Sequence, residues 1–268
     1  MKKFKISQIQ FQAMSTPQDN AILLEKLFKK TNKFKPNLIC TPECSNIITF
    51  DKKYLFSNVN YQNDCPIIKI SKKFALKNKV NIHLGSLLLK IKGEKKLANR
   101  SILINKKEEI EKIYNKINLF DVNISNIESH RESHSFIKGK KLVVTNIDGI
   151  KIGLTICYDL RFPLLYRKLA KKGSQIILIP AAFTVPTGIA HWETLVRARA
   201  IENSLFIVAT NMCGIHHSGR KTYGHSILID PWGKIKNKAF KKSKILNSIL
   251  DIEEINRTRS KIPSIYND

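Results

Sequence analysis

The sequence predicts an α/β protein, a single domain over residues 1–268, and three observations carry that prediction. Short runs rich in β-branched residues alternate with segments whose apolar residues recur at helical spacing. Helical segments open on Thr-Pro or on a lone Pro, which suits the first turn of a helix. Residues able to do chemistry fall just after strand runs, the usual position for a site in an α/β sheet. No internal repeat, low-complexity linker or clear boundary divides the 268 residues, so one domain is the simplest account.

Taken in order, residues 4–11 read as a first strand. Thr16 caps and Pro17 starts a helix in which Leu23, Leu24, Leu27, Phe28 and Phe34 keep helical spacing, and Lys35-Pro36-Asn37 stops it. Leu38, Ile39 and Cys40 form a short buried strand ending in Thr41-Pro42-Glu43. A second helix spans 66–79, with Ile67, Ile70 and Phe74 on one face. Strands over 80–89 and 100–104 follow, then a charged turn at 106–109 and a strand over 110–114 that delivers Lys116. Residues 117–140 are polar and irregular and read as a surface loop. Strands over 141–146 and 150–156 pair through Asp148-Gly149, and the second leads into Cys157, a turn, and a Pro-started helix from Pro163 to Lys172. A buried strand over 176–179, a helix over 187–203 and a strand over 205–210 come next. Residues 212–223 read as a polar loop. A strand over 226–230, the Pro231-Trp232-Gly233 turn, a strand over 245–252 and a short helix complete the chain.

Composition narrows the class. The chain holds 47 Lys and Arg against 21 Asp and Glu, a formal charge of +26. The excess is mostly Lys, scattered as pairs beside Asn and Ile through every segment. No zinc finger, RNP signature or aromatic-interleaved basic strip accompanies it, so a solvated basic surface is expected rather than a specific nucleic-acid partner. No apolar run reaches the ~18 residues of a membrane span, and the amino-terminal stretch alternates without a continuous apolar core. The expectation is a cytoplasmic protein with no membrane partner and no signal peptide. The cysteines, Cys40, Cys44, Cys65, Cys157 and Cys213, are odd in number and lack a Cys-x-x-Cys pair, which argues for reduced thiols over a disulfide framework or zinc ribbon.

Glu43, Lys116 and Cys157 each follow a predicted strand. A thiol near neutral pH is only a few per cent thiolate, so it needs a base or a neighbouring cation. Glutamate supplies the base. Lysine lowers the thiol pKa and stabilises the oxyanion formed when a thiolate attacks a carbonyl or nitrile carbon. Backbone N–H groups after Cys157, at the start of a helix, can assist. No histidine lies near the thiol in sequence. Arg161 can take a substrate carboxylate through a bidentate pair or form a structural ion pair with Asp159 or another acid.

The segments Thr41-Pro42-Glu43, residues 114–121 (YNKINLFD) and residues 153–163 (GLTICYDLRFP), in this order and spacing, resemble the carbon-nitrogen hydrolase (nitrilase) superfamily. The resemblance spans nearly the whole chain. It implies an α-β-β-α sandwich and a Glu43, Lys116 and Cys157 triad, with Glu132 in residues 132–139 (ESHSFIKG) as the second glutamate that positions lysine and substrate. Tyr158, Arg161, Phe183 and Thr184 are the substrate-binding residues it points to, with the backbone N–H of Tyr158 beside Lys116 at the oxyanion. Residues 183–193, 197–203 and 219–226 resemble the Nit branch, and more narrowly its bacterial deaminated glutathione amidases. The related ω-amidases, acting on α-keto acid ω-amides, share residues 188–192 and the 231–233 turn but usually differ in the 212–223 loop. The resemblance therefore implies hydrolysis of a small carboxylate-bearing amide to acid and ammonia through a thioester, no metal or organic cofactor, and a homodimer or larger homo-oligomer. His191, Trp192, Arg197, Arg199 and Glu202 fall to a dimer interface or pocket wall. A non-catalytic basic binding protein is a further alternative, which the intact triad argues against. Departures from the family pattern fall at Asn115 (usually Arg), Asn118 (His), Ser125-Asn126 (Pro-Gly) and Lys138 (Pro), none of them a triad position.

Other motifs carry less. Residues 214–222 look like a phosphate loop, but the lysine comes one residue late and a strand follows. His130 and His134 have metal-compatible spacing without a third obvious ligand, so solvated histidines are expected. Gly224-His225-Ser226 lacks the last glycine of a serine-hydrolase elbow.

Overall fold

In the computed structural model, which describes residues 3–123 and 129–266, the first half of the chain lays down β1 (Lys3–Gln10), α1 (Pro17–Thr31), β2 (Leu38–Cys40), α2 (Lys52–Asn58), α3 (Pro66–Asn78), β3 (Asn81–Lys90), β4 (Leu97–Ile104) and β5 (Ile110–Asn115). A small hairpin, β6 (Asp121–Asn123) and β7 (Ser129–Arg131), precedes β8 (Val143–Ile147), β9 (Ile150–Leu154), α4 (Pro163–Lys171) and β10 (Ile176–Ala181). Then come α5 (Val185–Thr187), α6 (Glu193–Asn203), β11 (Phe206–Asn211), the hairpin β12 (Cys213–Ile215) and β13 (Lys221–Tyr223), β14 (Ile227–Ile229), β15 (Ile235–Lys238), β16 (Lys244–Asp251) and α7 (Glu253–Lys261).

Among the described residues, two six-stranded sheets form, in the orders β16-β1-β2-β3-β4-β5 and β15-β14-β11-β10-β9-β8. They stack face to face, with α1 and α3 covering the first and α4 and α6 the second, so the architecture is the expected α-β-β-α sandwich. The helix boundaries follow local chemistry. Thr16 is extended, its hydroxyl accepts from Asp19 N at 3.2 Å, and Pro17 occupies the first turn. Lys35 and Lys79, at φ 51° and 53°, turn the chain out of the first two long helical segments. Strands β9, β10 and β11 are parallel neighbours, and Ile176–Ala181 is buried throughout. That is why this run reads as unbroken apolar sequence. Each fully buried Ile or Leu there contributes roughly 1.5–3 kcal/mol relative to exposure.

The structure departs from the sequence reading in places. Residues 117–140 are more than a surface loop: they hold β6 and β7, and a 3₁₀ turn over Glu132–His134 leads to buried Ser135 and Phe136. Residues 212–223 form the β12–β13 hairpin. Helix α2 and strand β15 escaped a pattern-based reading because neither has a long enough periodic run. The 187–203 helix contains a π turn at Gly188–Trp192. No described helix is long and apolar enough to cross a membrane.

The sheets meet closely at Gly85 on β3, where an added Cβ would lie 1.9 Å from Thr41 O and 2.4 Å from Pro180 Cβ of the facing sheet. Thr41 Oγ1 accepts from Gly85 N at 3.1 Å, so the same contact holds the turn leading to Glu43. Gly85→Ala must push the sheets apart or displace that turn. It is expected to destabilise the fold by about 1–3 kcal/mol or more, read as a lowered Tm, and to lower activity in the protein that remains folded.

Candidate active site

Strand ends from both sheets build the site. Past the end of β2 the chain turns through Thr41-Pro42 to Glu43, and β5 is followed at once by Lys116. From the second sheet, β9 leads through Thr155-Ile156 to Cys157, and β10 through Ala181 to Ala182. Glu132 arrives on the 3₁₀ turn after β7. The four expected residues are thus brought together from distant parts of the chain.

Lys116 is the hub. Its Nζ donates to Glu43 Oε1 at 2.9 Å and to Glu132 Oε2 and Oε1 at 2.9 and 3.2 Å. Only 2% of the lysine and 3% of the Glu43 surface is exposed, so neither charge would be tolerated without the other. Glu43 Oε2 accepts from Ala182 N at 2.9 Å, which ties the first sheet's carboxylate to the second sheet's strand end. The Cys157 thiol lies close enough to the same carboxylate for each to shift the other's protonation.

Sequence reasoning missed Asn99 on β4. Its Nδ2 donates to Glu43 Oε1 at 2.9 Å and to Glu132 Oε1 at 3.0 Å, cross-linking the two carboxylates beside the lysine. Its strand reads LANRSILI, so Arg100 and Ser101 beside it hide Asn99 as a signal, and its burial at 1% exposure emerges only in the fold. Phe120 N, donating to Glu132 Oε2 at 2.6 Å, left no signal because any residue supplies that group.

Cys157 has a left-handed backbone, φ 46°, a strained conformation for a residue with a Cβ. It opens a five-residue 3₁₀ turn, Cys157–Arg161, which stands between the thiol and α4. The thiol therefore sits at this tighter turn rather than at the start of the long helix. Asp159 holds the turn: its carboxylate accepts from Ile156 N (2.9 Å), Tyr114 Oη (2.6 Å), and Asn118 N and Nδ2 (2.9 Å each). This rules out the Asp159–Arg161 ion pair. Arg161 instead donates toward His191 Nδ1 at 3.2 Å and lies over the Tyr158 and Phe183 rings, with no carboxylate among the described residues.

Burial and charge set the protonation states. Burial alone would raise the Glu43 carboxyl, but the Lys116 charge and hydrogen bonds from Cys157, Lys116 and Asn99 outweigh it and hold it below the usual range. Burial would likewise lower Lys116, yet Glu132, Glu43 and Cys157 raise it well above normal. The Cys157 thiol is pushed up by burial and then by Glu43. At rest the site holds a carboxylate, an ammonium and a neutral thiol beside its base.

These residues line a cavity of about 350 Å³ that also includes Tyr158, Arg161, Phe183 and Thr184. All the expected substrate-binding positions therefore reach one space. Three departures from the family pattern sit behind it or outside it. Asn115 Oδ1 accepts from Arg100 Nε at 2.8 Å, Asn118 serves Asp159, and Lys138 is exposed. Ser125-Asn126 lies outside the described residues. The expected wall residues are packed and paired: Trp192 Nε1 donates to His225 O at 2.8 Å, Arg197 Nε to Gly233 O at 3.0 Å, and Arg199 pairs with Glu202 at 2.9 Å. His130 contacts the Phe50 and Phe120 rings, so it is not simply solvated. Among the described residues no group of three or more His, Cys, Asp or Glu is placed to hold a metal.

Lys116→Met leaves the carboxylates buried without their cation. A site-resolved carboxyl titration should move Glu43 from below the usual range to above it. The cost in stability should be about 3–5 kcal/mol near neutral pH. Because the folded wild-type Glu43 pKa is depressed, its stabilising share is present above the unfolded pKa and lost as pH falls through the lower, folded one. The stability gap between wild type and variant should therefore narrow in acid, as measured by denaturant melts over pH.

Comparison with known proteins gives the family and the fold. The family model for carbon-nitrogen hydrolase matches residues 5–260. A Dictyostelium discoideum protein named deaminated glutathione amidase is 36% identical over 98% of this chain and 92% of its own length. The crystal structure of Saccharomyces cerevisiae Nit3, described as a member of branch 10 of the nitrilase superfamily, superposes with a TM-score of 0.88 at 27% identity, covering 98% of this chain and 95% of that one. The Caenorhabditis elegans NitFhit crystal structure gives a TM-score of 0.93 at 29% identity over 99% of this chain, which spans only 65% of that protein. A family match over almost the full length and a relative above 30% identity join the sequence motifs and the fold in one conclusion: the chain belongs to the carbon-nitrogen hydrolase family.

Proposed function

We propose that the protein is an amidase with a Glu43, Lys116 and Cys157 triad, that Glu132 positions the lysine, and that the substrate is deaminated glutathione or a close carboxylate-bearing relative. The observation that carries the reading is that one cavity is lined by the Cys157 thiol and by a Glu43 carboxylate that Lys116 holds ionised at 2.9 Å. The substrate rests on the Dictyostelium relative's name and on Arg161, which has no carboxylate partner among the described residues.

The steps follow from these roles. Glu43 takes the thiol proton as Sγ attacks the amide carbon. The carbonyl oxygen becomes an oxyanion, met by Lys116 Nζ and the backbone N–H of Tyr158. The C–N bond breaks as protonated Glu43 gives its proton to the departing nitrogen, leaving a Cys157 thioester. Glu43 then deprotonates a water that attacks the thioester, the C–S bond breaks, and the thiol regains its proton. Proton transfer and one nucleophile suffice, so no cofactor enters the proposal. A primary amide releases ammonia in this scheme. Deaminated glutathione, a secondary amide, releases α-ketoglutarate and the amine of cysteinylglycine, so ammonia is the wrong product to follow for it. Two copies associating through the outer helical layer, where Leu164 and Ile201 are exposed, belong to the same proposal.

The test follows α-ketoglutarate, common to both substrate readings, from deaminated glutathione and from α-ketoglutaramate. Release from deaminated glutathione should fall ~10³-fold or more in Cys157→Ala, and mass spectrometry should find an acyl adduct on wild-type Cys157. A higher kcat/KM on α-ketoglutaramate would move the enzyme to the ω-amidases. Turnover of neither substrate by folded protein would overturn the substrate assignment.

A further inference from the structure

The charges lining the cavity are unevenly matched. Its described lining contains two carboxylates, Glu43 and Glu132, and both are engaged by Lys116. Besides Lys116, the cationic side chains of the lining are Lys52, Arg131, Arg161 and Arg220. The Arg131 guanidinium is occupied by Val122 O, His130 O and Asn123 Oδ1 at 2.8–2.9 Å. Arg161 and Arg220 meet no carboxylate among the described residues, and Arg220 Nε is buried without a hydrogen-bond partner. Two guanidiniums facing one cavity without counter-charges make a setting for an anionic ligand.

Their placement is built. Arg220 sits at the tip of the β12–β13 hairpin, which is docked onto the 49–54 segment. Ser218 Oγ donates or accepts with Thr49 Oγ1 at 3.0 Å and accepts from Phe50 N at 2.8 Å, while His217 stacks on Tyr54 with centroids 4.2 Å apart. His216 Nε2 and Thr222 Oγ1, 2.8 Å apart, brace the hairpin from within. Arg220 thereby lies over the Phe50 ring at 5.6 Å. From Phe50 a chain of ring contacts runs to His130 (6.0 Å), Phe120 (5.0 Å) and Tyr158 (5.1 Å), and Arg161 lies over Tyr158 at 5.9 Å. The two guanidiniums stand at opposite ends of this aromatic arc. Arg161 shares the nucleophile's turn. Arg220 is carried by a separate element, the β12–β13 hairpin docked on Thr49 and Phe50, and lines the same cavity away from the nucleophile's turn.

We propose that Arg220 is a second carboxylate-binding residue, holding a carboxylate on the leaving amine while Arg161 holds one on the acyl side, so that the enzyme prefers peptide-like amides charged at both ends over small primary amides. The proposal rests on the amidase reading and deepens it by making the 212–223 hairpin the specificity element.

The test compares deaminated glutathione with its C-terminal carboxamide, two substrates that differ in one charge. Wild type should favour the free carboxylate by roughly 10- to 100-fold in kcat/KM. In Arg220→Gln that ratio should collapse toward unity, chiefly through KM, and Arg220→Lys should restore part of it. A ratio unchanged within twofold in Arg220→Gln overturns the proposal. Calorimetric binding of N-succinylglycine and N-succinylglycinamide to Cys157→Ala, with and without Arg220→Gln, reads the same charge dependence without turnover. If wild type hydrolyses neither amide, the function reading fails and the binding ratio still decides Arg220.

Discussion

Everything else in this structure serves one interaction, the burial of the Lys116 ammonium between the carboxylates of Glu43 and Glu132. Three charges in a low-dielectric interior are stable only if each is closely paired and hydrogen-bonded. Asn99, Ala182 N and Phe120 N supply the remaining donors. Because Ala182 belongs to the second sheet and Glu43 to the first, the charge cluster can form only when the sheets are stacked in register. Gly85 permits that approach by having no side chain where Thr41 and Pro180 close in. Stability and chemistry therefore depend on the same contact.

The nucleophile is held by a different device with the same logic. Cys157 occupies a strained left-handed conformation, and the buried Asp159 carboxylate fixes the turn around it through Ile156, Tyr114 and Asn118. Two of these donors lie on the β5 side, next to Lys116. The segment carrying the cation thus also positions the thiol, and both reach the acidic cluster together. Asn118, a departure from the family pattern, supports this framework rather than the cavity.

The charge of +26 attracts anions from every direction and so selects none of them. Selection needs charges fixed at particular points against walls that exclude water. Inside the cavity, Arg161 and Arg220 meet that condition, each laid over an aromatic ring and neither matched by an acid among the described residues. Arg131, equally basic and equally near, is spent on backbone carbonyls.

By itself the sequence determined the alternation of strands and helices, the helix starts at Pro17, Pro66 and Pro163, and the positions of Glu43, Lys116 and Cys157 after strand runs. These properties are local: periodicity, capping and turn chemistry act over a few neighbouring residues. It also carried Glu132 through resemblance, though periodicity alone reads that segment as loop. Tertiary structure decided the rest. It chose which polar residues would face the cluster, so that Asn99 became a ligand of two carboxylates and Asp159 a clamp rather than a partner for Arg161. It also brought Arg220 to the cavity by docking Ser218 of the β12–β13 hairpin on Thr49 and Phe50, 169 and 168 positions away in sequence. Such pairings arise from the stacking of two sheets and the packing of their loops, and no local pattern records which distant groups that packing will make neighbours.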